Sequence, residues 1–436
     1  MKNNSGHTIY SNYLKDIHKT YIKGEATEGS YYPYLKSLIE NCAIISKEFV
    51  GITVQPKKTE AGIPDFLVRG KQNRITGYIE AKVPETKDLS REAETEQLKR
   101  YRESLPNIIL TNFLEFQLYR NGQLIKETQL ANPFTLVELK HPPAPENIKD
   151  FNELLAEFFS FSIPETRTSK QLAIELARRT RLLENLILDE LRKKTREVIG
   201  FYETFKEQLI SSLTEERFAD IYAQTITYGL FSARMKSGED EFKRDTAYRY
   251  IPQTIPLLRN LFYSLTGANL PQSLEWIVDD ITDVLANANI TSILKNLHTE
   301  KWSDDPVIHF YETFLAVYNP EERERLGVYY TPAPVVSFIV RSLHRLLKEK
   351  FNKADGFADI TVTLLDPAAG TLTFPAMALR LVKKELKEKG KEGIFPSLVK
   401  DHILPHFYAF EILVAPYAIG HFKISIVLED LGYQLK

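Results

Sequence analysis

Asp65, Glu80 and Lys82 are the residues of this sequence whose types and spacing could do chemistry together. They lie in GIPDFLVRGKQNRITGYIEAKVPE, where Pro64-Asp65 opens one short apolar run and Glu80-Ala81-Lys82 sits inside the next. If both runs are strands, residues two apart share a face. Glu80 and Lys82 then project together, while Ala81 turns away and leaves its carbonyl available to a cation. Phosphodiester hydrolysis at neutral pH needs this kind of set, because a divalent cation must activate water and offset charge. Mg²⁺ is held by a few carboxylates plus water and substrate oxygens. Lys82, beside two carboxylates, stays protonated and would orient the attacking water or neutralise transition-state charge. A Glu-x-Lys in a strand is far more often a solvated face, so the reading rests on the neighbouring motifs.

Those motifs give the set a family likeness. Asp65, a variable gap and Glu80-x-Lys82 resemble the PD-(D/E)xK nucleases. Gln97-Leu98-Lys99-Arg100-Tyr101 matches the QxxxY element of a subset of that superfamily, and Gln97 and Tyr101, one helical turn apart, share a face. TEGSYYPYLKSLIE at 27 to 40 looks like the opening helix of such domains, where Glu28 would approach the metal. The resemblance implies catalytic roles for Asp65, Glu80, Lys82, Gln97, Tyr101 and Glu28. It also implies Mg²⁺ on Asp65, Glu80 and the Ala81 carbonyl, and double-stranded DNA as substrate.

A second constellation lies near the other end. Leu364-Leu365-Asp366-Pro367-Ala368-Ala369-Gly370-Thr371-Leu372-Thr373-Phe374 closes a strand and opens a helix through small residues, which let a ligand approach the backbone. It resembles motif I of amino-methyltransferases acting on DNA adenine, D-P-x-x-G-x-G-x-F. Gly327-Val328-Tyr329-Tyr330-Thr331-Pro332 resembles the partner motif that packs over S-adenosylmethionine. The resemblance implies cofactor contacts from Gly327, Tyr330, Thr331, Pro332, Asp366, Ala368, Gly370 and Glu411. Glu411, after the strand FYAFE, is expected to accept hydrogen bonds from ribose hydroxyls. It stands farther from Asp366 than the roughly 20 residues of a simple dinucleotide fold, so an insertion lies between. Leu372 replaces the second glycine, where its side chain is expected to crowd the cofactor or strain the turn. The [N/D/S]-P-P-[Y/F/W] motif that holds a flipped base does not follow Glu411, and Asn132-Pro133-Phe134 and Asn319-Pro320 lack its second proline. An incomplete methyltransferase is therefore expected.

The elements that must position these residues fall into three textures. Residues 1–145 mix helix with β-rich runs, including EFQLYRNGQLI, where Asn121-Gly122 supplies the φ > 0 positions of a type I′ hairpin. HPPAPEN at 141 to 147 marks a linker. Residues 146–325 show apolar positions three or four apart and almost no strand signal, as in an all-α connector. Tyr222, Tyr228 and Phe231 within 216–235 read as core. Residues 326–436 begin a doubly wound α/β sheet. His402 and His406 have an i, i+4 spacing, but Pro405 between them favours an approach to the FYAFE strand over a metal pair. KKELKEKGKEG reads as a solvated helix end.

With 436 residues, several domains are expected. An apolar fraction of 43% and a charged fraction of 26% exclude wholesale disorder and a membrane protein, so a soluble, cytoplasmic chain is expected. Cys42 is the only cysteine, which excludes intrachain disulfides and thiolate-rich zinc sites. A net charge of −2 confines any nucleic-acid surface to a local patch. No G-x-x-x-x-G-K-[ST] loop occurs, so no ATP-driven motor is expected.

In order, the parts resemble single-chain type IIG restriction-modification enzymes: an α/β restriction-endonuclease-like domain, a helical connector and the start of an adenine methyltransferase. The remaining methyltransferase and target recognition are then expected outside these residues, with a separate chain as one candidate source. The alternatives are a non-catalytic regulatory subunit with a cofactor-sensing or docking methyltransferase-like fragment, and a defence or repair nuclease with no methylation partner.

Overall fold

The structure is a computed structural model that describes residues 4–54, 64–71, 75–133, 136, 141–161, 168–208, 211–238, 240–251, 262, 270–295, 306–325, 331–411 and 414–435. The chain forms two compact units, one of Met1–Pro164 with Gln272–Asp283 and one of Glu165–Pro271 with Val284–Lys436.

The first unit is built on a six-stranded sheet whose strand order follows the sequence: β1 (Gly51–Val54), β2 (Phe66–Arg69), β3 (Ile75–Ala81), β4 (Asn107–Thr111), β5 (Glu115–Arg120) and β6 (Gln123–Gln129). Helices α1 (Asn4–Tyr21) and α2 (Tyr32–Ile45) precede it, α3 (Leu89–Ala93) and α4 (Glu96–Ser104) connect β3 to β4, and α5 (Ile148–Phe159) follows it. That helical crossover is what allows β3 and β4 to run parallel, whereas every other neighbouring pair is antiparallel. The opening helix expected at 27 to 40 is the second helix. Residues Glu28–Tyr31 form a 3₁₀ turn that leads into α2.

Every residue of β3 is buried. Ile79 and Ala81 join the core made with α1, α2 and α5, which includes Leu14, Leu35, Phe151 and Phe158. Because a strand alternates, Glu80 is directed to the other face. Helix α5 thus belongs to the first unit's core although it follows the proline-rich stretch, and that unit extends past the boundary expected at 145. Asn107 clamps the layers, its amide donating to the Thr76 carbonyl at 2.8 Å and the Phe158 carbonyl at 3.0 Å. The β5–β6 turn has Asn121 at φ 50° and Gly122 at φ 83°, the left-handed pair its sequence predicts.

In the second unit, all regular elements among described residues 168–350 are helical or 3₁₀. Helices α6 (Ser169–Arg192), α7 (Arg196–Gln208), α8 (Glu215–Ser237) and α9 (Pro306–Tyr318) come first. The Thr214 side chain caps α8 by accepting the Arg217 N–H. Tyr222, Tyr228 and Phe231 are buried, and Phe231 stacks on Phe310 with ring centroids 4.0 Å apart.

Helix α10 (Ala333–Lys350), β7 (Leu364–Asp366), α11 (Thr373–Glu388), β8 (Phe407–Ala409) and α12 (Val414–Asp430) follow, with β7 and β8 paired in parallel. The expected insertion between Asp366 and Glu411 is α11 and a run of short helical turns from Glu392 to His406. Val336, Ala376, Leu379, Phe395 and Leu428 are among the residues that close the core around this pair. Among the described residues, no helix is long and apolar enough to cross a membrane.

Close packing at β3 is testable at Gly77, where an added Cβ would lie 2.6 Å from both the Asn107 carbonyl oxygen and the Phe158 ring. The carbonyl belongs to a paired strand and cannot withdraw cheaply. Gly77→Ala is expected to destabilise the chain by about 1–3 kcal/mol in urea unfolding. An unchanged midpoint would show that β3 and α5 are not packed this way.

Candidate functional site

Antiparallel pairing sets Phe66 opposite Ile79, which brings the preceding residue, Asp65, to the level of Glu80. The two carboxylates are 5% and 4% exposed. Asp65 Oδ2 accepts the Ala81 N–H at 2.8 Å, and Asp65 Oδ1 accepts the Tyr32 hydroxyl. That hydroxyl is also 2.8 Å from Glu28 Oε1. Lys82 donates from Nζ to Glu80 Oε1 at 2.8 Å, the same-face pairing expected of residues two apart in a strand. The Lys82 backbone N–H donates to the Thr111 carbonyl at 2.7 Å, which continues the β3–β4 ladder to this point. Gln97 Nε2 donates to the Tyr101 hydroxyl at 3.2 Å on α4, where Tyr101 is buried.

The structure therefore brings Glu28, Asp65, Glu80 and Lys82 together, and sets Tyr101 close enough to feel the Glu80 and Asp65 charges. Sequence reasoning missed Tyr32. Its spacing of four from Glu28, the same as that between Gln97 and Tyr101, was the signal that could have found it.

Charge is unevenly matched here. Burial, and then the Asp65 charge, push the Glu80 carboxyl up to about 8 against the pull of Lys82. For Lys82, burial disfavours the ammonium, but Glu80, Glu28 and Asp65 more than offset it and the net shift is upward. Burial and then Asp65 hold Tyr32 firmly protonated. Among the described residues, Glu80 Oε2 is buried without a hydrogen-bond partner.

A divalent cation fits this donor set, which offers hard oxygens, an excess of negative charge and an orphaned carboxylate oxygen. Among the described residues, no three His, Cys, Asp or Glu side chains converge as a metal cage. Any cation here must take part of its coordination from backbone, water or substrate, as Mg²⁺ commonly does.

In the second unit, Asp366 ends β7 and the small-residue turn follows. Asp366 Oδ1 accepts the Ala368 N–H at 3.4 Å, Oδ2 is buried without a partner, and burial raises the carboxyl despite that bond. Gly370 has φ +53°, and an added Cβ there would meet nothing within 4 Å, so one side of the turn is open. Its N–H donates to Glu411 Oε2 at 2.8 Å. Glu411 lies just beyond β8, where the Phe410 N–H and the Ala369 N–H bridge the strand ends through the Asp366 and Phe410 carbonyls.

Leu372 adopts the left-handed conformation, φ 59° and ψ 37°, which costs a non-glycine residue about 1–2 kcal/mol. Its side chain rests against Gly420 of α12, where an added Cβ would lie 2.8 Å from Leu372 Cγ. Strain at the turn is thus present, while the side chain is accommodated by a glycine far along the chain. The open turn and the orphaned Asp366 oxygen fit a polar cofactor. Thr331 and Pro332 precede α10, with Pro332 at its N-cap, whereas Gly327 and Tyr330 lie outside the described residues.

His402 and His406 do not form a metal pair. His402 Nε2 is 3.2 Å from the Phe357 carbonyl, and His406 Nδ1 is 2.9 Å from the His402 carbonyl, on turns that lead into β8.

Residues 302–402 match the family described as N-6 DNA Methylase. The match starts upstream of the methyltransferase boundary expected at 326 and includes both α9 and the Asp366 turn. No curated protein matches the chain. Among solved structures, the chain is similar to a cryo-EM structure of a DrdV–DNA complex, at 20% identity and TM-score 0.41, covering 98% of this chain and 39% of that one. It is also similar to the ATP-dependent Type ISP restriction-modification enzyme LlaBIII bound to DNA, at 20% identity and TM-score 0.44, covering 68% of this chain and 19% of that one. A nuclease-deletion mutant of the Type ISP enzyme LlaGI with a DNA substrate mimic matches at 21% identity and TM-score 0.40, covering 65% of this chain and 21% of that one. The chain thus spans well under half the length of each.

The raised Glu80 carboxyl has a pH signature. Its folded value of about 8 exceeds the ordinary 4.5, so the folded state holds the proton more tightly. This contribution to stability is full below about pH 4.5 and is lost as pH rises to about 8. In chelator, Glu80→Gln is expected to overtake the wild type in stability by a margin that grows across this window to a few kcal/mol, read by urea unfolding at pH 5 and pH 8. A difference independent of pH would remove Glu80 as the titrating group.

Proposed function

We propose that the chain carries a Mg²⁺-dependent DNA endonuclease in its first unit, joined in sequence through a helical region to the cofactor-binding part of an adenine-N6 DNA methyltransferase. This is the layout of a bifunctional restriction-modification protein of the type IIG kind. The observation that carries the nuclease reading is the buried pair Asp65 and Glu80, linked to Glu28 through Tyr32, with Lys82 on Glu80 and one Glu80 oxygen left without a hydrogen bond among the described residues. Burying two carboxylates with one counter-charge is costly, and a divalent cation is the ligand that removes the cost.

Asp65, Glu80 and the Ala81 carbonyl would hold Mg²⁺, which when bound supplies Lewis-acid charge for phosphodiester hydrolysis. Lys82, paired with Glu80, stands where it would orient a water or meet charge developing on the phosphate. Tyr101, which feels the Glu80 charge and accepts from Gln97 on α4, would with Gln97 support the site, and the Ala81 N–H fixes Asp65. Glu28 contributes negative charge through its contact with Tyr32. Double-stranded DNA is the proposed substrate.

For the second unit, the match to an N-6 DNA Methylase over residues 302–402 supports S-adenosylmethionine as the cofactor. Asp366, Ala368, Gly370 and Glu411 would line its site at the open turn, with Gly327, Tyr330, Thr331 and Pro332 approaching from the preceding segment. The base-holding motif and target recognition would come from other residues, on this protein or a separate chain.

Cleavage of supercoiled plasmid in Mg²⁺, with and without S-adenosylmethionine, tests the first half. Lys82→Ala is expected to lower the rate by about 100-fold or more. If the wild type leaves DNA intact and calorimetry finds no divalent-cation binding, the nuclease assignment fails. For the second half, Asp366→Ala is expected to weaken S-adenosylmethionine binding about tenfold in calorimetry, a loss of about 1.4 kcal/mol. Equal affinity in wild type and variant would take Asp366 out of the site.

A further inference from the structure

We infer that Tyr32 is a positioning residue of the carboxylate cluster, its one hydroxyl joining Glu28 to Asp65 and so setting the orientation in which Asp65 meets a divalent cation. This rests on the metal-dependent reading of the first unit and assigns a role to a residue that neither nuclease motif contains.

The ring is held independently of the hydroxyl. Tyr32 is 5% exposed, at the first turn of α2, and packs edge-on against Phe66 with centroids 4.9 Å apart, with Phe113 beyond at 6.4 Å. Phe66 directly follows Asp65, so the packing that fixes the phenol also fixes the backbone carrying the carboxylate.

From this anchored ring, the hydroxyl reaches Asp65 Oδ1 on one side and Glu28 Oε1, at 2.8 Å, on the other. Asp65 Oδ2 is held separately by the Ala81 N–H at 2.8 Å. Each oxygen of Asp65 is therefore tied to a different element, Oδ1 to α2 and Oδ2 to the end of β3. Two anchors on two oxygens fix the plane of a carboxylate, where one anchor leaves it free to rotate. A carboxylate oxygen has more than one lone pair, so a hydrogen bond at each does not by itself bar a cation. Groups that orient a metal-binding carboxylate in this way typically contribute about 10-fold to 100-fold to metal affinity.

A phenol has only one proton, so Tyr32 can donate to Glu28 or to Asp65 but not fully to both. Glu28 and Asp65 therefore compete for that proton, and Glu28 acts on Asp65 through Tyr32 without needing to touch the cation.

The test is Mn²⁺ binding by calorimetry to the full chain, with thermal unfolding in chelator as the companion measurement. Tyr32→Phe keeps the ring, so its unfolding temperature in chelator is expected to stay within about 2 °C of wild type while Mn²⁺ affinity falls about tenfold or more. A residue that only packs would leave the affinity unchanged, and that result overturns the inference while leaving the metal site standing. If the wild type itself binds no Mn²⁺, the nuclease reading and this inference fail together. Should Tyr32→Phe unfold early, Glu28→Gln provides the second reading. It weakens the competing acceptor, so the hydroxyl donates more fully to Asp65 and Mn²⁺ affinity is expected to rise, whereas loss of a negative charge acting alone would lower it; affinity that does not rise overturns the inference.

Discussion

The hydrogen bond from the Ala81 N–H to Asp65 is the contact on which the first unit's carboxylate arrangement depends, because it ties a buried carboxylate to the strand that carries another. Asp65 and Glu80 repel, both are out of water, and Lys82 is the cation paired with Glu80. Left alone, such a pair would separate or take up a proton. The sheet prevents separation: β3 is buried from end to end, pairs on both sides, and is pressed by Asn107 and Phe158 at Gly77. Rigidity in the scaffold thus maintains an electrostatic arrangement that the side chains would not adopt by themselves. What makes the metal-free fold less stable near Glu80 is the same feature that suits it to a cation.

Much of this cluster was legible in the sequence, and the rest was hidden for a definite reason. Glu80 and Lys82 could be placed together because strand periodicity alone puts them on one face. Asp65 could be joined to them only through the family pattern, since its position opposite Glu80 depends on the register in which Phe66 meets Ile79. Tyr32 precedes Asp65 by 33 residues and reaches it through the packing of α2 on the sheet, so its spacing of four from Glu28 could point to a pairing with Glu28 but not to Asp65. The proline-rich stretch at 141 to 147 was read as the end of a domain. Its prolines do break regular structure, but helix propensity and amphipathic pattern in α5 say nothing about which core receives its apolar face. Phe151, Leu154 and Phe158 return to the sheet.

Leu372 shows the same limit in the second unit. A leucine at a position that favours glycine predicts strain, and the φ of 59° bears this out. The local pattern also suggested that the side chain would crowd the cofactor. Its packing against Gly420, 48 positions away in sequence, moves the small residue that the close approach requires from the turn to the neighbouring helix. The Asp366 turn and α12 must therefore be considered as one object: the missing glycine of one is met by the glycine of the other. His402 follows a similar logic, since its ring lies against the Phe357 carbonyl, a partner that an i, i+4 count to His406 could not reveal.

The two candidate sites differ in how their polar groups are satisfied before any ligand arrives. In the first unit, Glu80 Oε2 has no partner, so a cation gains that oxygen without breaking a hydrogen bond at it. In the second, the Gly370 N–H already donates to Glu411. A cofactor that takes hydrogen bonds from Glu411 must either share that carboxylate with Gly370 or displace it, and exchanging one hydrogen bond for another contributes little net free energy, about 1 kcal/mol. Affinity at the turn must then come from the orphaned Asp366 oxygen and from contact with the open face at Gly370. The first site is poised by unmet charge and the second by exposed backbone, which is why removing one carboxylate should alter stability in the first more directly than in the second.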